Sequence, residues 1–599
     1  MSTPLTSAPQ PFDVEVAIVG AGPVGLTLAA LLDREGITNR VFERRAALHR
    51  DPQAHVVNTR TMEILRELGL ERAVLAAAAP PMRMRAITWC ENLAGREFGR
   101  FSLQGDSPAA LVERLAASPT TICNLAQNRL EPMLHRLVRH AARSEVSFAS
   151  EVVSTDDDGD GVRVGVRDGD GRTIEVRARF VAACDGAGSR VRQALGIEME
   201  GPASLQRFVT IYFQANLDRW IGGRPGPLYW IAGPHMRGVI LGFDVARTWA
   251  LMVPFDDPNT PADFEGEVAE RLLRAAIGDS STAFRITSVS NWNMSAQLAE
   301  RYRSGLVFLV GDAAHRFPPS GGLGMNTGIQ DAHNLAWKLA AVLRGEADAA
   351  LLDTYERERR GVARINCDHS VLNAMRMFEI DAALGMSMMG PVNPTLVSGE
   401  KEDHGDYGLD GDSEAAVAKR RAVHDVIRAQ ADHFDFGGLD LGFCYEDGAL
   451  VADGTAAAPP DVRIYTPSTR PGSRLPHAWL EGPSGRVSTL DIAAPGRFML
   501  LVGADGEGWI DAVRALARSG VRRLEVAMIA GSAESDYRDV DGTWQRVCGI
   551  DASGAVLVRP DGHVAWRSAS TTTQDMTSVL GGVLARVLGR GPAGEAVSR

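Results

Sequence analysis

Residues 14–43 read VEVAIVGAGPVGLTLAALLDREGITNRVFE, and the order of events along this stretch decides the fold. Val16-Ala17-Ile18-Val19 has the composition of a buried strand. Gly20-Ala21-Gly22-Pro23-Val24-Gly25 then opens a helix that runs to about Glu35, and Arg40-Val41-Phe42-Glu43 returns as a second strand. Gly20 suits the tight turn, Gly22 leaves the backbone bare where a pyrophosphate would approach, and Gly25 permits close helix–strand packing. The helix start, with Val24 in its first turn, offers free N–H groups and the positive end of a dipole to phosphates. Pro23 costs nothing there, because its missing N–H would have no helical partner. Glu43, at the end of the second strand and followed by Arg44, can accept hydrogen bonds from ribose hydroxyls. The stretch predicts a Rossmann-like βαβ unit for a dinucleotide and leaves open whether that is NAD or FAD.

Two later stretches repeat the pattern of a buried strand delivering a polar turn to a helix. Phe180–Cys184 ends in Asp185-Gly186-Ala187-Gly188-Ser189-Arg190. Leu306–Val310 leads into GDAAHRFPPSGGLGMNTGIQDAHNLAWKL, residues 311–339, a loop with two prolines and several glycines that ends in a long amphipathic helix. Prolines stiffen a turn and glycines admit close approach of backbone N–H groups, so this loop is built for a large polar cofactor. Between them, about 201–289, aromatic and alternating segments predict an inserted antiparallel sheet: Val209–Phe213, Leu228–Ile231, Gly238–Phe243 and Trp249–Val253. From about 460 a separate α/β unit is expected, with a hairpin closed by Pro560-Asp561-Gly562.

The expected organisation is therefore a discontinuous nucleotide-binding domain at 12–200 and 290–370, a substrate sheet at 201–289, a helical or irregular connector at 371–455, and a C-terminal unit at 456–599. A chain of 599 residues needs several cores. A net charge of −12 argues against nucleic acid or an anionic membrane as partner. The six cysteines are scattered without C-x-x-C spacing, so neither a zinc site nor a dithiol centre is expected, and free thiols suit a cytoplasmic protein. No apolar run reaches a membrane span, and residues 1–15 read as a lead-in rather than a signal peptide. Asp156–Gly161 resembles the opening of a calcium loop, but Arg167 stands where the bidentate Glu is needed, so a solvated turn is expected and no metal. The methionines at 375, 377, 386, 388 and 389 are read as adaptable packing.

Taken together, Gly20-x-Gly22-x-x-Gly25 with Glu43, Asp185-Gly186-x-x-Ser189-x-x-Arg192, and Gly311-Asp312 continuing to Pro318 and Gly321–Asn326 stand in the order found in a known family. The chain resembles the FAD-dependent aromatic monooxygenases of the para-hydroxybenzoate hydroxylase superfamily. The runs His55–Leu65, Leu228–Trp230 and 311–337 are most similar to its 2,4-dichlorophenol and phenol hydroxylase branch. One departure is Gln53, where an arginine often stands in these relatives, with Arg50 nearby.

The resemblance implies an α/β FAD-binding domain with the inserted sheet as substrate domain, and a C-terminal thioredoxin-like domain lacking C-x-x-C. It implies FAD as cofactor, NADPH or NADH and O2 as co-substrates, and a flavin C4a-hydroperoxide that hydroxylates a phenolic ring ortho or para to its hydroxyl. Tailoring of a polyketide-like natural-product aromatic is the alternative, and a flavin-binding interaction protein is the non-enzymatic one. Cofactor contacts are expected at Gly20, Gly22, Pro23, Val24, Gly25, Glu43, Arg44, Gln127, Asp185, Asp312, Gly322, Gly324, Met325 and Asn326. Substrate contacts are expected at Tyr212, Tyr229, Trp230, Phe243, Phe317 and Pro318, with His235 and His315 as candidate catalytic groups. The expected partners are a small aromatic substrate and further copies of the same chain, through 370–440 or the C-terminal unit.

Overall fold

In the computed structural model the Val14–Val19 strand lies at the centre of a sheet, parallel to Asn39–Phe42 on one side and to Thr173–Ala183 on the other. The structure describes residues 12–591 except 106, 234–235, 256–263, 265, 387–406, 494–495 and 533. The sheet continues through Ser144–Ser147 at one edge and through Val307–Leu309 and Arg303–Ser304 at the other. Both faces of the central strand are covered, which is why its sequence is continuously apolar rather than alternating. The Pro23–Arg34 and Leu323–Leu343 helices pack side by side over this sheet. Gly328 makes their contact possible, because a Cβ there would sit 2.7 Å from Val24 Cγ2 and 3.0 Å from Gly311 Cα. The acidic run at 156–161 is the turn between strands Glu151–Asp157 and Val162–Arg167, with Asp158 Oδ1 accepting from the Gly161 N–H at 2.9 Å. Among the described residues no acidic or thiol cluster is arranged to hold a metal ion.

The second sheet has seven strands and is wider than the expected 201–289. Its order is Phe284–Met294, Gln206–Ala215, Thr248–Phe255, Arg237–Gly242, Leu228–Ala232, Ala86–Cys90 and Glu97–Ser102. The last two strands come from far earlier in the chain, and Ala86–Cys90 joins parallel to Leu228–Ala232, the one parallel pairing in an otherwise antiparallel sheet. Period-two alternation puts Ile211, Phe213, Tyr229, Ile231, Ile240 and Leu251 on the face that packs beneath the Glu267–Ile277 helix. The opposite face looks toward the first domain.

Helix Thr59–Glu67 is capped by Asn58, whose side chain accepts from the Thr61 N–H at 2.9 Å. A further helix runs from Asp353 to Leu384. Met386 and Met377 pack beside a core that includes Trp89, Phe98 and Ile427, whereas Met375 is exposed; Met388, Met389 and part of the acidic run after them lie outside the described residues. In the C-terminal unit, strands Phe498–Val502 and Leu524–Ala530 are parallel, and Ala555–Val558 and Val564–Ser568 extend the sheet antiparallel. Helices Glu507–Arg518 and Met576–Val587 pack against each other there. That strand order is thioredoxin-like, and its one cysteine, Cys548, is buried and free, as are or partly are the other five.

Buried ion pairs join this unit to the first domain. Arg559 donates to Glu358 at 2.8 and 2.9 Å and also pairs with Asp561, while Arg474 pairs with Glu63. No helix among the described residues is long and apolar enough to cross a membrane.

Candidate active site

The carboxyl end of the first sheet, the open face of the second and the C-terminal unit enclose one continuous cavity of about 2060 Å3. At one end the turn after Val19 forms its wall. Gly20 has φ +104°, and a Cβ there would meet Cys184 O at 2.4 Å. Gly25 does not reach the cavity; its bare Cα lets the helix sit on Gly20 O, which a Cβ would approach to 2.1 Å. Gly22 does reach it, in extended conformation, with no protein atom within 4 Å of where its Cβ would be. Pro23, Val24 and Arg44 line the same end, and the helix start has no side-chain cap. Glu43 is buried at the cavity wall, each carboxylate oxygen accepting one backbone N–H, from Ala21 and Arg45, at 2.9 Å.

Gln127 begins the Gln127–Arg139 helix, lines the cavity and donates to Glu131 Oε1 at 2.7 Å. Asp185 lines it too. Its Oδ2 accepts from the Val191 N–H at 3.2 Å, its Oδ1 has no partner, and burial raises its pKa. Ser189 caps the short helix that follows, and Arg192 donates to Ala313 O at 3.0 Å, which fastens this motif to the 311–339 loop.

In that loop Asp312 is enclosed by protein yet opens onto the cavity void, and burial, set against the nearby His315 and Arg316, raises its carboxyl. Phe317, Pro318, Gly322, Gly324 and Met325 line the cavity. Asn326 stands behind this wall. Its amide donates to Val56 O and Gly322 O, and its Oδ1 accepts from the Asn58 N–H, so it holds the wall together rather than facing what lies inside. Gly322 has φ +66° and would place a Cβ 2.8 Å from Val56 Cβ. His315 is also set back. Fully buried, it lies 2.7 Å from Asp331 Oδ2 and stacks on Phe317 at 4.7 Å, a brace for the loop rather than a group within reach of a substrate. His235 falls outside the described residues.

Thr210, Tyr212, Trp230, Leu241 and Met252 present the sheet's cavity face, with Phe243 just beyond a strand end and stacked on Tyr212 at 6.4 Å. Tyr229 does not belong there. One residue from Trp230, it must point the other way, and its hydroxyl is used up by the Gly226 N–H and Arg224 O, both at 3.0 Å. His55, with Nδ1 against Asn124 Oδ1 and its ring edge-on to Phe243 at 5.8 Å, lines the cavity, and burial lowers its pKa.

Sequence reasoning assigned no part of the wall to residues after 370, yet His433, Phe434, Asp440, Tyr465 and His477 complete it. Asp440 accepts the N–H groups of Thr59 (2.8 Å) and Arg60 (3.3 Å) at the start of the Thr59–Glu67 helix, and burial raises its carboxyl to about 7. No local sequence motif marks these residues.

Residues 13–370 match the family model described as FAD binding domain, and 468–591 match that of the aromatic-ring hydroxylase C-terminal domain. The chain is 36% identical to 2,4-dichlorophenol 6-monooxygenase of Cupriavidus pinatubonensis, over 96% of this chain and 97% of that one. It is 34% identical to tetracenomycin B2 monooxygenase-dioxygenase of Streptomyces olivaceus, over 96% and 99%. Among solved structures it resembles the flavin-dependent monooxygenase PieE in complex with FAD and substrate, with a TM-score of 0.89, 38% identity, and coverage of 97% and 100%.

Proposed function

The chain belongs to the family of FAD-dependent aromatic-ring monooxygenases, and from that premise we propose that this cavity binds FAD along one side and a phenolic substrate on the open face of the sheet. The observation that carries the reading is the continuity of the cavity from the Gly22 turn, past Asp312 and the Gly322–Met325 helix start, to Trp230. The donor set fits the cofactor. The bare Gly22 and the uncapped helix start suit a pyrophosphate, and Glu43 and Gln127 suit an adenosine ribose. Asp185, which lines the cavity, and Asp312, open to it, suit hydroxyl donors such as those of the ribityl chain.

Bound FAD accepts hydride from NAD(P)H and activates O2 for transfer of one oxygen to the ring. The protein's part is placement, dryness and charge. The N–H groups of the Leu323–Leu343 helix start face the cavity with the positive end of the helix dipole, where they stabilise negative charge growing on a reduced ring. Phe317 and Pro318 on one side, and Tyr212, Phe243 and Trp230 on the other, keep water from the reacting face. His315 braces Phe317. Its pairing with Asp331, which also accepts from Arg359 Nε at 2.7 Å, fixes the ring.

The sheet face from Thr210 to Trp230 crosses four strands, about 14 Å at the usual strand spacing. That breadth favours a second reading within the same chemistry, a multi-ring aromatic of the natural-product type. We also infer a cytoplasmic enzyme that assembles with further copies of itself, supported by Ile365, Leu372, Met375 and Phe378, exposed on one broad face of the Asp353–Leu384 helix.

The test is direct. Purified protein is expected to be yellow and to oxidise NAD(P)H faster with phenols present, with a panel of phenols scored for hydroxylated product against hydrogen peroxide. Colourless protein that FAD cannot reconstitute refutes the reading.

A further inference from the structure

Tyr212, Ala250, Leu241 and Leu228 stand in register on four neighbouring strands, so their side chains form one rank across the cavity face of the second sheet. Three strand spacings, about 14 Å, separate its ends. The Tyr212 end is the polar one. Phe243 stacks on Tyr212, His55 stands edge-on to Phe243, and the next residue, Val56, abuts Gly322 at the start of the Leu323–Leu343 helix. The other three members of the rank carry no polar side-chain atom.

Beyond Leu228 the apolar path leaves the sheet. Leu228 is in register with Ile87 and Phe101 on the next two strands, and Leu103, two residues past Phe101, packs on the same cluster. The Leu103 carbonyl accepts from Arg114 Nη2 at 2.9 Å, which ties the Pro108–Ala116 helix to this end of the sheet. Leu111 and Leu115, one turn apart on that helix, both line the cavity. None of its nine residues is buried, and Leu115 is 51% exposed. A helix so short depends on what its apolar side packs against, and here that side looks onto the void. Ile464 of the C-terminal unit, 67% exposed, adds a further open apolar side chain to the cavity wall. Space is ample. The cavity holds about 2060 Å3, whereas a pocket for one drug-sized ligand holds about 300–1,000 Å3, so FAD at the upper end of that range leaves on the order of 1,000 Å3. A single phenol ring fills only part of that.

We propose that Ala250, Leu241, Leu228, Leu103 and the Pro108–Ala116 helix form a binding site for an alkyl chain carried by the phenol. Resting on the hydroxylase reading above, it names the substrate class: a phenol whose ring lies toward Tyr212 and whose chain runs along the rank and off its end. A chain suits this path better than a further fused ring, because the path turns from the sheet onto a separate helix. With the chain in place, Leu111 and Leu115 gain the packing that the free helix lacks.

The test compares the Kd of 4-methylphenol and 4-hexylphenol for the oxidised FAD holoenzyme, read from the change in flavin absorbance. A fully buried methylene tightens binding about fourfold and a half-buried one about twofold, so the five added methylenes should favour 4-hexylphenol by about thirtyfold or more in the parent. In Leu111→Asn with Leu115→Asn, and separately in Leu228→Asn, that ratio is expected to fall by about fivefold or more. A parent that oxidises NADH faster with 4-methylphenol yet binds 4-hexylphenol no more tightly overturns the chain site and leaves the hydroxylase reading standing. A parent-sized preference in both variants also overturns it, because the chain then binds elsewhere. A holoenzyme that binds neither probe overturns both readings.

Discussion

Gly22 and Gly25 belong to the same turn, yet alanine at each should fail for a different reason. A Cβ on Gly25 would lie 2.1 Å from Gly20 O, against a floor of 3.0 Å for real contacts, a shortfall of 0.9 Å that no rotamer can relieve. The Pro23–Arg34 helix must then lift off the Val14–Val19 turn. Overpacking of this kind costs about 1–3 kcal/mol or more, against a gain of about 1 kcal/mol from alanine's helix propensity. With a backbone carbonyl as the obstacle the upper end applies, for a net loss of about 2 kcal/mol and a fall of roughly 2–4 °C in the apoprotein Tm. At Gly22 a Cβ meets nothing within 4 Å, and φ −75° with ψ 179° suits any residue. The apoprotein should lose no more than about 1 kcal/mol there, the cost of alanine at a helix N-cap. The methyl would instead project into the cavity where a pyrophosphate is proposed, with loss of at least one charge-assisted hydrogen bond and about tenfold or more in FAD affinity. The assay is thermal unfolding of apoprotein and of FAD-saturated protein side by side. FAD stabilises the parent in proportion to the logarithm of its concentration over Kd. Gly25→Ala should lower both curves and preserve the gap between them; Gly22→Ala should leave the apo curve in place and shrink the gap. A parent-sized gap in Gly22→Ala, or an unmoved apo Tm in Gly25→Ala, refutes the reasoning.

Asp312→Ala removes a carboxylate that opens onto the cavity and should lower FAD content after gel filtration severalfold, with the apo Tm within about 2 °C of the parent. Asp440 governs a pH dependence. Burial raises its folded pKa to about 7, above its unfolded value, so the folded state holds the proton more tightly and stability falls as pH rises between the two values, by about 1.4 kcal/mol per unit at most. Asp440→Asn should flatten the apoprotein Tm profile between pH 5 and 7, and an unchanged slope counts against the assignment. Arg559→Met strands Glu358 and Asp561 in the interior and should cost about 3 kcal/mol in urea unfolding, the low end for a broken buried pair because Lys338 Nζ still donates to Glu358 at 2.7 Å. In the parent, Arg559 and Lys338 outweigh burial and hold Glu358 at about 2. Its contribution is thus present above the ordinary carboxyl pKa and lost as pH falls toward 2, and the variant's acid transition should begin at higher pH.

What could be read in advance was what is local. Gly25 answers to Gly20, five residues away, and although Gly20 answers to the distant Cys184, the spacing of the three glycines marks the turn without it. The sheet insertion was legible from alternation, but alternation fixes faces only relative to one another. Tyr229 and Trp230 were both expected at the substrate, and adjacent residues of a strand cannot share a face. Asn326 and His315 sit inside the loop motif, where proximity in sequence suggested contact with the ligand. In three dimensions the helix start turns Asn326 toward Val56 and Asn58, and the loop folds His315 onto Asp331. His433 and Asp440 carried no signal at all, because their place on the cavity depends on how a segment without a motif returns across two domains.

The same long-range closure ties the thioredoxin-like unit to the rest of the molecule. Asp331 accepts from the Gly311 N–H at the root of the loop and from Arg359, and Arg359 donates to the Tyr445 hydroxyl at 3.2 Å. On the next turn of the same helix pair, Asn334 and Lys338 share Glu358, whose other oxygen takes Arg559 from the C-terminal unit. Arg60, one turn from the Asn58 cap, donates to Asp561 O at 2.7 Å, and Arg474 neutralises Glu63 on the same helix. The carboxylates of Asp331, Glu358, Glu63 and Asp561 are all buried, and Arg474 and Arg559 of the C-terminal unit balance Glu63, Glu358 and Asp561 together with Arg60 and Lys338 of the first domain. Charges that deep are tolerable only when all partners are present. The C-terminal unit is therefore an integral part of the frame that holds the 311–339 loop and the Thr59–Glu67 helix on either side of the cavity.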